Sequence, residues 1–197
     1  MAALLGEYVP MGGGFWTQRK PYAVLVGLCA LTLVLGGCGG HAAAPPLGSA
    51  GSAACPQTPS GHFDKTKFAA HAGLGFGAFH HFIYRPFKSG ELSSGTPGRV
   101  GRLAKAGLAT AFTVHELKVA KRDAEDDPTL CRAVAAPLSQ AAASLQRLSG
   151  SVRSGNVSGG DLDQVNGTLG QAQQGSAREG DPAPDQVPSS DQLTHPT

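Results

Sequence analysis

From Leu130 to Val152 the apolar residues Leu130, Val134, Leu138, Ala141, Leu145, Leu148 and Val152 recur at steps of 4, 4, 3, 4, 3 and 4. That spacing keeps side chains on one stripe of an α-helix. Asp127-Pro128 supplies a side-chain cap followed by proline at the first helical position, and Ser154-Gly155 is a stop. Pro137, inside the pattern, is expected to kink the helix or remove one backbone bond. A stripe this long must be buried, and the preceding segment is the nearest partner. Thr96-Pro97 repeats the start signal, after which Val100, Leu103, Gly107, Leu108, Ala111, Val114 and Lys118 trace one face to about Asp123. Two helices of about 26 residues, each near 39 Å long, joined by a few residues, predict an antiparallel hairpin.

Upstream, Phe68, Ala72, Phe76, Phe79 and Ile83 also step by helical intervals. Gly73, Gly75 and Gly77 count against a helix there, at about 1 kcal/mol each relative to alanine. Alternation at Leu74, Phe76, Ala78, Phe82 and Tyr84 leaves a strand open, with His80 breaking it. The helical reading is adopted. A glycine stripe then suits a second helix crossing closely, and Pro86 is expected to end the first helix near Tyr84. Ser158 to about Gln174, with Leu162, Val165 and Leu169, reads as a shorter capping helix. The chain has 28 Gly and 14 Pro in 197 residues, about 21% where about 12% is usual. Much of that excess falls in residues 38–61 and 175–197, read as a flexible tether and a disordered acidic, proline-rich tail. The expected fold is all-α: a small three- or four-helix bundle over residues 62–174, built from a long antiparallel hairpin and a glycine-rich first helix, with disordered ends.

Residues 17–40 run TQRKPYAVLVGLCALTLVLGGCGG: the basic pair Arg19 and Lys20, an uncharged stretch from Pro21 to Gly37, then Cys38 among glycines. This is the order of an export signal, and the apolar run is shorter than the 18 or more residues wanted for a membrane span. Leu35-Gly36-Gly37-Cys38 resembles the lipobox of bacterial lipoprotein precursors, in which the cysteine becomes the acylated N-terminus of the mature chain. The resemblance implies removal of residues 1–37, lipidation of Cys38 and a place on the outer face of the cell membrane. Small residues before the cysteine let a peptidase reach the backbone, and acyl chains contribute about 0.8 kcal/mol per buried CH₂. An uncleaved signal anchor with an incidental Cys38 is the alternative. Met11 offers a second start with a more ordinary basic segment.

Four cysteines stand at 29, 38, 55 and 131. Cys29 lies in the apolar run and Cys38 is taken by lipid under the resemblance, leaving Cys55 and Cys131 as a candidate disulfide outside the cytoplasm, or as two free thiols. The net charge of +2 is too slight to predict a nucleic-acid partner. The charge is nevertheless segregated: ten Lys/Arg against four Asp/Glu from His62 to Ala124, and one Arg against six Asp/Glu from Gly155 onward. The basic half, with Lys65, Lys67, Arg85, Lys88, Arg99, Arg102 and Lys105, suits anionic lipid headgroups or a cell-wall polymer, or is simply solvated helix surface.

No phosphate-binding loop, dinucleotide fingerprint, nucleophile elbow, H-E-x-x-H or C-x-x-C pair occurs. The chain is read as a non-enzyme with no cofactor and no metal site. His71 and His81, ten apart on a helix, cannot share an ion, and adjacent His80 and His81 diverge by about 100°. His115-Glu116 is read as half-buried surface. The stretch from Gly77 to Phe87 is the most distinctive, and is similar to uncharacterised exported proteins of high-GC Gram-positive bacteria, a likeness that brings no activity with it. Phe79, His80, His81, Tyr84, Arg85 and Phe87 form the candidate binding face. The expected role is that of a lipid-anchored envelope protein acting as a non-catalytic binding or structural module, with an unknown envelope protein or polymer as partner. The alternative is an extracytoplasmic carrier of a metal or small ligand that uses the histidines.

Overall fold

The computed structural model describes residues 55–60 and 64–196. The export signal, Cys38 and most of the tether lie outside the described residues. The described part is an all-α bundle. In chain order it comprises α1 (Lys65–Phe79), a π-helical segment (His80–Tyr84), α2 (Arg85–Lys88), α3 (Arg99–Ala124), α4 (Pro128–Ser154), α5 (Gly159–Arg178) and α6 (Ser190–Thr194).

The α3–α4 hairpin is the centre, with α1 packed on α3 and α5 on α4. Helix α4 follows its leucine pattern closely. Leu130, Val134, Leu138, Ala141, Leu145 and Val152 are fully buried and Leu148 is half-buried. Asp127 caps its start by accepting from the backbone N–H groups of Thr129 and Leu130, and Gly155 ends it at φ +74°. Both Cβ-free and left-handed, Gly155 also leaves room for the Arg99 guanidinium, which donates to the Ser154 carbonyl 3.1 Å away. A cation there meets the negative end of the helix dipole.

Helix α3 has the expected length but turns a different face inward. Leu103, Ala106, Ala109, Phe112, Leu117, Ala120 and Ala124 are buried, while Val100 and Leu108 are 80% and 48% exposed. The start also shifts, because Gly98, left-handed at φ +75°, precedes the first turn in place of Thr96. Thr96 instead spends its hydroxyl on the Gly90 carbonyl. The inward face is made largely of alanine, threonine and glycine, small side chains that let α1 and α4 approach closely but mark no hydrophobic stripe.

The first helix does not stop before Pro86. Its turns widen at His80–Tyr84, where the Arg85 N–H reaches back five residues to the His80 carbonyl. A proline clashes with the carbonyl four residues before it in an α-helix, and the wider π turn carries the chain past that obstacle into α2.

The tail from Gly175, expected to be disordered, is instead ordered and packed. Helix α5 runs on to Arg178, with Gly175 buried where a Cβ would stand 2.8 Å from the Ala133 carbonyl oxygen. Residues 179–189 then form an extended strap across α1. The Gln186 N–H donates to the Gly73 carbonyl (2.8 Å), Asp181 pairs with Lys65 (2.7 Å) and Ala183 is buried. A Cβ at Gly73 would stand 2.5 Å from the Pro184 carbonyl oxygen, and one at Gly77 would overlap the Gln186 backbone. The glycine stripe is therefore covered by the chain's own strap, and not by a crossing helix. Gly75 alone faces α3, against Leu117 and Glu116. The strap leads into α6, which opens with a capping box between Ser189 and Gln192 and buries Leu193.

Cys55 and Cys131 are joined by a disulfide, with Cα atoms 5.7 Å apart. The bridge pins residues 55–60 beside the α3–α4 turn, where Ser60 also donates its backbone N–H to the Asp126 carbonyl and its hydroxyl to the Asp126 carboxylate.

Candidate anion-binding groove

The helical turns from Phe79 to Ser89 separate the predicted face into three groups. Phe79 is fully buried in the core, and Phe87 is half-buried under the start of α5 at Gly159. Phe79 is thus not available as a surface contact, whereas Phe87 keeps part of its ring exposed.

His80, Tyr84 and Lys88, four apart, face α5 and the strap, where acidic residues engage each of them. His80 Nδ1 lies 2.6 Å from Asp185 Oδ2, and its Nε2 lies 3.0 Å from Asn166 Oδ1. Asp185 also accepts from the Gln173 side chain. The Tyr84 hydroxyl donates to Asp163 at 2.7 Å and the Lys88 ammonium at 3.1 Å. These bonds, the Tyr84 hydroxyl first and Lys88 next, hold the Asp163 carboxyl below its ordinary range. The same carboxylate raises the Tyr84 phenol and the Lys88 amine.

His81 and Arg85 point the other way, into a groove between the first helix and the start of α3. His81, Phe82, Arg85 and Ser89 form one wall, Arg102 and Lys105 the other, and Glu91 lies on the connection between them. The cavity measures about 400 Å³, within the range of small-ligand sites. Phe82 is its apolar element. The His81 ring meets it edge-on with centroids 4.6 Å apart, and the Lys105 ammonium stands 5.2 Å above its face. Arg102 Nε pairs with Glu91 Oε2 at 2.9 Å, and Glu91 also accepts from the Ser89 hydroxyl.

Among the described residues neither Arg85 nor Lys105 has a carboxylate partner, and the Lys105 ammonium stands over the Phe82 ring. Three basic side chains thus share the groove with one carboxylate. Guanidinium groups grip oxyanions through paired N–H donors, so the groove is chemically suited to an anion.

The residue pattern grouped Arg85, Arg102 and Lys105 as one basic half but did not place them on facing walls with His81. Phe82 was marked only for its spacing, and Ser89 and Glu91 were not singled out. Arg99, grouped there with Arg102 and Lys105, does structural work instead, donating to the Leu92 and Ser154 carbonyls.

His71 is engaged within the fold. Glu116, expected half-buried at the surface, is completely buried and lies 2.7 Å from His71 Nδ1. Gly75, one turn beyond His71, makes the room, since a Cβ there would stand 3.3 Å from Glu116 Cβ. Among the described residues no three His, Cys, Asp or Glu side chains converge where a metal ion would sit. No helix among them is long and apolar enough to cross a membrane.

No protein-family model matches this chain, and neither a curated protein nor a solved structure matches it either.

Proposed function

We propose that the chain is an exported lipoprotein, held on the outer face of the cell membrane through Cys38, whose helical domain is a non-catalytic binding module for an anionic envelope partner. The observation that carries the binding role is the two-walled groove in which Arg85, Arg102 and Lys105 stand beside His81 and Phe82. Glu91 pairs with Arg102 there and leaves Arg85 and Lys105 without a carboxylate among the described residues, while the opposite side of the same helix is neutralised by Asp163 and Asp185. The anchoring role rests on the Leu35-Gly36-Gly37-Cys38 sequence and its spacer. The Cys55–Cys131 disulfide supports an oxidising location. The histidine carrier has no comparable support, since both ring nitrogens of His80 already face protein oxygens.

Two measurements test this reading. Cys38→Ser should abolish acyl labelling in cells, and retained labelling would refute the anchor. A photo-crosslinking side chain placed at His81 should capture an envelope component in intact cells, with capture reduced by Arg85→Glu. Capture indifferent to that charge reversal would refute the groove as the contact surface.

A further inference from the structure

We infer that the groove takes a phosphate-type oxyanion carried by a polymer beyond the membrane, and not the headgroups of the bilayer that holds the anchor. This rests on the binding-module reading above and names its ligand class.

The first argument is the shape of the charge. Basic side chains stand on opposite walls, Arg85 on one and Lys105 on the other, with Arg102 beside Lys105 but already donating Nε to Glu91 and Nη1 to the Pro97 carbonyl. A planar carboxylate offers its two oxygens in one plane. A tetrahedral phosphodiester or phosphate offers oxygens in several directions and can be held from both walls at once. The about 400 Å³ cavity admits a phosphate together with a small polyol or sugar unit, and Phe82 gives that unit an apolar floor.

The second argument is position. The disulfide fixes the chain's entry beside the α3–α4 turn, whereas Lys105 lies near the other end of α3, about 29 Å away along the helix at 1.5 Å per residue. The groove therefore lies toward the end of the hairpin opposite the disulfide where the described chain begins.

The third argument is the neighbouring surface. Exposed Val100, Ala104 and Leu108 form an apolar strip on α3, but Lys105 and Arg102 stand about 100° and 160° around the helix from Ala104. One flat bilayer surface does not receive both the strip and the groove.

The test uses the full chain in a neutral detergent with a fluorescent poly(glycerol phosphate), competed by inorganic phosphate and by polygalacturonate, and compared with vesicles of phosphatidylglycerol. The polymer should bind, weaken as salt rises, and be displaced by phosphate at lower concentration than by polygalacturonate. Combining Arg85→Gln with Lys105→Gln should lower its affinity about tenfold or more. Lys88→Gln, on the acid-neutralised side, should leave affinity unchanged, and all variants should keep the parent Tm. Failure of the polymer to bind, indifference to the double variant, equal competition by polygalacturonate, or vesicles binding as tightly as the polymer would each overturn the inference. The His81 crosslink and Cys38 labelling stand apart from these outcomes, so the binding-module reading can survive its loss.

Discussion

The α3–α4 hairpin and the α1–strap contact are built on opposite principles. In the hairpin, α4 supplies leucines and valines that fill space, and the interface holds because side chains are present. Across α1 the strap lies on Gly73 and Gly77, and the interface holds because side chains are missing. There a backbone N–H meets a backbone carbonyl, Gln186 to Gly73, with flanking polar pairs from Asp181 to Lys65 and Asp185 to His80. The first kind of contact is damaged by removing volume and the second by adding it.

Leu138→Ala tests the hairpin and carries the largest expected effect. The side chain is fully buried, and truncations of this kind cost about 2–5 kcal/mol. Urea unfolding should show a lower midpoint with an unchanged slope. A loss below 1 kcal/mol would mean that α4 is not packed through its leucines.

Gly77→Ala tests the strap. Its added methyl overlaps the Gln186 backbone, so the strap must shift or leave, at a cost of about 1–3 kcal/mol. Limited proteolysis should open a site within residues 179–189 that the parent protein resists. A variant as stable and as resistant as the parent would remove the close contact from the account.

The smallest effect concerns the caps, which both regions share, Asp64 for α1 and Asp127 for α4. Asp127→Ala should cost about 1 kcal/mol. The Leu130 N–H, foremost, and the hydroxyl and N–H of Thr129 hold the Asp127 carboxyl below its ordinary value. Its contribution is thus fully present above the unfolded carboxyl range near pH 4 and is lost as pH falls through the lower folded value. The difference in stability between parent and Asp127→Ala should accordingly shrink on acidification, and a difference that is constant with pH would contradict the capping role.

The same contrast explains what could be read from the residues. Helix α4 was legible from its first leucine to Gly155 because its stability comes from periodic bulk. Helix α3 was legible in extent but not in orientation. Its buried face carries Ala106, Ala109, Thr110, Thr113 and Ala120, while the larger Val100 and Leu108 lie outside. The strap left no hydrophobic period at all, since a backbone bond and ion pairs do not require one. Its only trace was the i, i+4 spacing of Gly73 and Gly77, which signalled a close approach without naming the partner. In the groove, His81 and Arg85 were visible as a cluster. Their apposition with Arg102 and Lys105 depends on the π turn and on the Gly98 start of α3, and no residue pattern announces either.

The backbone bond between Gly73 and Gln186 joins positions 113 residues apart, which gives the domain an order of assembly. Local pairing of α3 with α4 closes a short loop and can form early, whereas the glycine surface of α1 has no cover until residue 186 arrives. A chain that emerges from its N-terminus during synthesis would present α1 unfinished until residue 186 follows. Completion of the fold is then timed by its last segment and not by its leucine core.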